Sequence, residues 1–232
     1  MKSIYNSFIN WCFKDKREFA SGLDKYKLYW VFIVGAFLGV YYEQLENGLF
    51  ALYYDGVFKW ELRRGLIYEP LNPLYGFGAL IFTYIFVNFK TDKLRTFIYG
   101  GILGDIIEYV ISYLQETFTG TRSWDYSDKF LNINGRTTIP YMLVWGLFAL
   151  FLVYVLYPYL SKILAKIPYN LGVLITRISF VILIIDCFLS FGAIIRLGLR
   201  HKGHEPFGFL GRFFDKYYPD DFIQKHYPNM RL

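Results

Sequence analysis

Cysteine, histidine and methionine are scarce: the 232 residues contain two Cys, three His and three Met. Cys12 lies in the N-terminal segment and Cys187 inside an apolar run, so nothing pairs them and a disulfide scaffold is excluded. All three histidines, His201, His204 and His226, fall in the tail. With no cysteine near them, His201, His204 and Glu205 do not complete a zinc set. Charged residues make up 19%, below the quarter or so of an average soluble domain, which excludes a disordered chain and a coiled coil. No Gly-x4-Gly-Lys-Ser/Thr loop occurs, so the chain does not serve as its own ATPase. There is no Gly-x-Ser-x-Gly and no Ser/His/Asp arrangement. A secretory signal is also missing, because the first apolar residues are broken by Asn6, Ser7 and Asn10 and followed at once by Lys14–Glu18.

What is abundant is apolar and aromatic. Hydrophobic residues reach 55%, aromatics 22%, and mean hydropathy is +0.28. The apolar residues come in runs long enough to cross a bilayer, which needs about 20 residues. The expected fold is all-α, a polytopic membrane helix bundle of five spans. The first runs from near Tyr29 to about Tyr54, the second from Pro73 to Phe89 and the third from about Thr96 to Phe118. The fourth runs from Pro140 to about Tyr157, the fifth from Leu171 to about Leu197. This divides the chain into an N-terminal interfacial segment (1–28), a transmembrane domain (29–197) and an interfacial or solvent-side tail (198–232). Ile4, Phe8 and Trp11 at helical spacing suit a helix lying on the membrane surface. Net charge is +6, and Lys and Arg concentrate in the N-terminal segment and the loops at 90–95 and 158–170. That pattern puts the N-terminus in the cytoplasm, although six Lys and Arg after Leu197 run against it. Anionic headgroups, not nucleic acid, are the expected partner of this basic balance.

Spans one and three share a pattern. Gly35, Gly39 and Glu43 recur as Gly100, Gly104 and Glu108, followed by Trp60 or Trp124, Arg64 or Arg136, and the proline opening the next span. The expectation is two parallel helical hairpins related by duplication, plus a fifth helix. Residues four apart share a helix face, so each Glu should point into the bundle beside a close glycine crossing. Asp105, Glu108, Ser112 and Glu116 form one polar stripe; Glu43, Glu46 and Asn47 form another. Asp186 in span five falls at nearly the depth of Glu43. Clustered carboxylates must share protons, bind cations or pair with arginine, and Arg64, Arg136 and Arg177 are the available partners. No cofactor is implied, although Glu43-x2-Glu46 and Asp105-x2-Glu108 have the oxygen ligands a divalent cation takes.

The two long loops carry denser motifs: Arg64-Gly65, Tyr75-Gly76-Phe77-Gly78-Ala79-Leu80, Trp124-Asp125-Tyr126-Ser127 and Asn132-Ile133-Asn134-Gly135-Arg136. With these, residues 35–150 resemble the family of type IV ABC-transporter, or CmpB-like, membrane proteins. Tyr227-Pro228-Asn229-Met230 adds to the likeness. The sequence departs from the pattern at Glu69, where a glycine is expected before Pro70. The resemblance implies a permease, with a separate ATPase or membrane protein as partner. Asp125 is expected to pair with Arg136 and close the loop over the bundle.

The expected site is therefore Glu43, Glu46, Arg64, Asp105, Glu108, Glu116, Trp124, Asp125, Tyr126, Asn134 and Arg136, binding or translocating a small polar or amphiphilic molecule. Two alternatives stand beside it. One is a membrane-embedded enzyme on a lipid or isoprenoid, with Glu108 or Glu116 as acid or base and Arg136 on an anionic headgroup. The other is an accessory subunit whose buried acids serve assembly alone.

Overall fold

The computed structural model describes residues 2–61, 65–228 and 230. Nine α-helices follow one another among these residues: α1 (Lys2–Cys12), α2 (Lys25–Asp55), α3 (Pro73–Phe82), α4 (Lys93–Thr119), α5 (Ile139–Phe151), α6 (Tyr157–Leu164), α7 (Tyr169–His201), α8 (Gly208–Tyr217) and α9 (Asp220–His226). A π-helical turn, Thr83–Val87, extends α3, and a second, Leu152–Leu156, joins α5 to α6. Strands β1 (Asn132–Ile133) and β2 (Thr137–Thr138) form a small antiparallel hairpin before α5.

Four of the helical stretches are long and apolar enough to cross a membrane: α2, α4, Ile139–Leu164 and α7. Pro73–Val87 is apolar but shorter. The long helices have clear ends. Asp24 and Asp92 cap α2 and α4 by accepting Lys27 N–H at 2.8 Å and Arg95 N–H at 2.9 Å. Gly56 and Gly120, at φ 72° and 70°, end them in the left-handed turn that glycine favours. Pro73 opens α3 behind the Asn72 cap, where its missing N–H is no loss.

Span four is longer than its apolar run suggests. The helix passes Pro158 and continues to Leu164, so most of the expected loop 158–170 is helical. Proline clashes with the carbonyl four residues before it, here in the wider π turn, which accommodates the ring.

The most extensive packing joins α2 to α3 and α4 to α5. A Cβ added at Gly35 would overlap Ala79, and one at Gly39 would overlap the Tyr75 side chain. At Gly100 it would overlap Ala149, and at Gly104 the Trp145 indole. Each hairpin is therefore closed by an aromatic ring and an alanine, four residues apart, lying on the two glycines of its partner helix. Phe82, Phe86, Trp145, Ala149 and Leu152 form the core between the hairpins. The outer faces carry exposed Ile178, Val181, Ile182, Ile185 and Phe188 on α7, as a lipid-facing surface requires.

Contacts gather at two opposite ends of the bundle. At one, Glu18 bridges to Pro168, Asn170 Nδ2 donates to Trp11 O at 2.7 Å, and Tyr154 Oη donates to Thr91 O at 2.6 Å. At the other, the tail folds back: Phe214 sits on Gly192, Tyr227 Oη donates to Gly65 O at 3.1 Å, and the Tyr68 and Tyr218 hydroxyls are 2.8 Å apart. Some of the tail's charges pair within the protein. Arg196 holds Asp215 with two hydrogen bonds of 2.7 and 2.9 Å, Arg200 donates to both Asp215 and Asp220, and His201 Nε2 lies 3.3 Å from Asp220. The Arg196 guanidinium holds the Asp215 carboxyl below its usual range.

Candidate functional site

Glu43 and Glu108 each sit one turn beyond their second glycine. The close crossing therefore brings each carboxylate against the start of the partner helix or the strand before it. Asn72 Nδ2 donates to Glu43 Oε1 at 3.0 Å. Glu108 is 4% exposed and takes three neutral donors: Tyr126 Oη at 3.0 Å, Thr137 Oγ1 at 2.9 Å and Trp145 Nε1 at 3.5 Å. Glu46, one turn above Glu43, accepts the Tyr42 hydroxyl at 3.0 Å. Burial and the nearby Glu108 push the Tyr126 phenol well above its ordinary pKa, so it remains a donor.

The two specific loop motifs fold against one another. Asn134 and Gly135, at φ 53° and 67°, form the turn of the β1–β2 hairpin, closed by Arg136 N–H donating to Ile133 O at 3.0 Å. Tyr126 N–H donates to Gly135 O at 2.8 Å, Trp124 Nε1 to Arg136 O at 2.8 Å, and Asn132 Nδ2 to Ser127 O at 3.1 Å. Asn134 Nδ2 reaches Tyr109 Oη at 2.9 Å. This unit carries Tyr126 to Glu108 and is a folded cap on α4.

The expected Asp125–Arg136 pair gives way to other partners. The Asp125 carboxylate accepts Ser127 N–H and Oγ–H at 2.9 and 2.6 Å, closing its own turn. Arg136 Nη1 donates to Ser112 Oγ at 3.2 Å, and its Nη2 to Glu116, which Arg122 also reaches at 2.9 Å. The arginine side chain points down the α4 stripe, where the acid four residues past Ser112 meets it.

Depth along a helix does not fix direction around it, and two residues differ from expectation for that reason. Arg177 is exposed on the outer face of α7 and meets none of the carboxylates. Asp186 faces inward but serves a different place. It accepts the backbone N–H of Tyr68 at 3.2 Å and of Glu69 at 2.7 Å, and the Ser190 hydroxyl at 2.9 Å. Ser190 Oγ in turn takes Ile67 N–H at 2.9 Å, so α7 clasps the loop ahead of α3. Glu69 is not among the described residues with positive φ, so its turn has no need of glycine. Its carboxyl is pushed up by burial and by Asp186. Arg64 lies outside the described residues. Both oxygens of Asp105 are buried and take no hydrogen bond from a described residue.

A cavity of about 1210 Å³ lies between the two hairpins, α7 and the tail. Glu43, Glu46, Glu108, Trp124, Asp125 and Tyr126 line it; Asp105, Glu116, Asn134 and Arg136 do not. Part of its wall is aromatic, with Tyr42, Tyr75, Tyr141, Trp145 and Phe148 meeting from α2, α3 and α5. Sequence reasoning passed over these rings because aromatics are too common in the chain to stand out. It also missed Asn72 and Lys129, and the tail residues His226, Tyr227, Pro228 and Met230 that complete the wall. α4 and α7 also contribute an apolar part of the lining, in which Ile106, Val110, Leu114, Phe118, Phe191 and Ile195 are exposed on the outer surface as well. The cavity thus has a polar, aromatic end under the cap and an apolar side between α4 and α7. Among the described residues no group of three or more His, Cys, Asp or Glu is placed to hold a metal ion.

A protein-family model described as "Putative ABC-transporter type IV" matches residues 30–191. Comparison with curated proteins and with solved structures gives no match. The matched range holds both hairpins, both loop motifs and most of α7, and the chain belongs to this family.

Proposed function

We propose that this member of the type IV ABC-transporter family is a permease-like membrane protein that takes an amphiphile into the cavity between its hairpins. The observation that carries the reading is the cavity's division. Glu43, Glu46 and Glu108 stand at one end, and an apolar wall reaches the outer surface between α4 and α7. A molecule with a polar head and an apolar tail satisfies both at once, and it enters sideways from the bilayer. Energy for movement comes from a separate ATPase, since this chain has no nucleotide loop.

The same reading includes five crossings, with Pro73–Val87 as the second, two hairpins related by duplication, and a cytoplasmic N-terminus. The separation of contacts to opposite ends supports five crossings: Asn72 and Gly65 lie at the tail end, and Thr91 lies with Tyr154 at the other. Duplication is supported by Tyr75 and Ala79 on Gly39 and Gly35, matched by Trp145 and Ala149 on Gly104 and Gly100. A π turn follows in each second helix. The orientation rests on the Lys and Arg of the N-terminal segment and of the stretches at 90–95 and 158–170.

The enzyme reading draws on the lateral opening too, with Glu108 as acid or base. Arg136 does not serve it as a headgroup clamp, because it is held by Glu116 away from the cavity. The test is native mass spectrometry of protein extracted from membranes into nanodiscs. A stoichiometric amphiphile retained by the wild type and lost in Glu108→Gln is the expected result. Profiles without any retained amphiphile in either protein overturn the proposal, and conversion of the retained molecule to a new mass favours the enzyme.

A further inference from the structure

We infer that the polar head received by this cavity is an organic cation, an alkylated ammonium group. The inference rests on the amphiphile reading above and names the chemistry of its head.

Six rings form the polar end: Tyr42, Tyr75, Tyr126, Tyr141, Trp145 and Phe148. They do not lie parallel. Phe148 stands nearly perpendicular to Tyr42, at 4.6 Å and 85°, and to Tyr75, at 5.9 Å and 88°; Tyr75 stacks on Trp145 at 5.5 Å and 29°; Tyr126 tilts against Tyr141 at 5.2 Å and 43°. The rings pack against one another at these angles, and all six also line the cavity. The negative face of an aromatic ring attracts a cation, most strongly for Trp and where water is excluded.

Charge points the same way. The carboxylates of Glu46 and Glu108 line this end, and the hydrogen bonds they receive come from the neutral groups of Tyr42, Tyr126, Thr137 and Trp145. Neutral donors bring no countercharge to a carboxyl group. The two cap arginines that could cancel it, Arg122 and Arg136, are both committed to Glu116 outside the lining. Lys129, on the exposed cap, is the lysine of the described lining. A phosphate or sulfate head would meet glutamates and π faces, both repulsive to it. A sugar head would donate its hydroxyls to the same glutamates, and dodecyl maltoside is the comparison for it. An alkylammonium needs no directional hydrogen bond and is attracted by the glutamates and the aromatic rings of this end.

The head could belong to a membrane amphiphile or to a soluble quaternary amine, and binding measurements separate these. Protein in nanodiscs is titrated with dodecyltrimethylammonium, dodecyl sulfate and dodecyl maltoside, each below its micellar concentration, following Trp fluorescence and calorimetric heat. Saturable binding of dodecyltrimethylammonium at least about tenfold tighter than of the other two is expected, a difference of the size one or two cation–π contacts give. Competition by tetramethylammonium supports a soluble amine as ligand; saturable binding without such competition supports a lipid-borne head. Phe148→Leu should weaken dodecyltrimethylammonium about fivefold or more and leave dodecyl maltoside unchanged, a selectivity that misfolding cannot produce. Glu46→Gln should act in the same direction. Equal binding of all three amphiphiles overturns the cationic head and leaves the amphiphile reading standing. No saturable binding of any of them overturns both.

Discussion

Tyr75 and Trp145 stack on one another with ring centroids 5.5 Å apart and planes 29° from parallel. Each ring also covers a glycine of its own hairpin, Gly39 for Tyr75 and Gly104 for Trp145. The close helix crossing within a hairpin and the contact between hairpins therefore use the same two side chains. Any change that lifts one ring off its glycine disturbs the junction as well, and with it the wall of the cavity.

Gly104→Leu and Gly39→Leu should each destabilise the bundle strongly. Overpacking a closed site costs about 1–3 kcal/mol and more where a backbone crossing must open. Thermal unfolding in detergent checks it, and an unchanged melting temperature in both variants would show that the rings move aside without loss.

Arg136 should matter for the cap and much less for the ligand. Lysine keeps the charge and loses the planar fork that reaches Ser112 and Glu116 together. Arg136→Lys should lower stability by about 1–2 kcal/mol, and Arg136→Ala by more, since it leaves Ser112 without that donor. Protease sensitivity of the 120–138 segment should rise in both, while the preference among amphiphile heads stays as in the wild type.

Asp186→Asn tests the clasp between α7 and the loop before α3. The carboxylate accepts two backbone N–H groups and a hydroxyl, and an amide would turn a donor towards donors. The expected cost is about 1–3 kcal/mol. Hydrogen exchange at Tyr68 and Glu69 should quicken by an order of magnitude or more before any other loop responds.

Glu69 supplies a pH dependence of defined sign. Burial, then Asp186, raises its carboxyl above the ordinary value, so the folded chain binds this proton more tightly than the unfolded one. Its contribution to stability is complete below the unfolded pKa, about 4.3, and is lost as pH rises through the folded value. Glu69→Gln should therefore raise the melting temperature at pH 8 and lose that advantage near pH 4. An equal offset at both pH values would mean that the carboxyl titrates normally.

The helices were legible because apolar runs and caps are local signals, and Glu43 and Glu108 because four-residue spacing from glycine fixes their face. Asp186 and Arg177 were misplaced because position along a helix says nothing of azimuth without such a marker. The Asp125–Arg136 pair was read from proximity in the chain, whereas Glu116 is brought in by the helix two turns away. Aromatic walls were invisible for lack of contrast: in a chain with 22% Phe, Tyr and Trp, no ring is distinctive until its neighbours are known. The role of His226, Tyr227, Pro228 and Met230 depended on the tail folding back, which no local pattern announces.

That tail gives the cavity a history as well as a shape. His226, Tyr227, Pro228 and Met230 follow every other lining residue in the chain. Synthesis runs from the N-terminus, and early elements fold first. Both hairpins and α7 are therefore in the membrane while this side of the chamber is still unbuilt. Closure of this side of the cavity therefore waits until those four residues have been made.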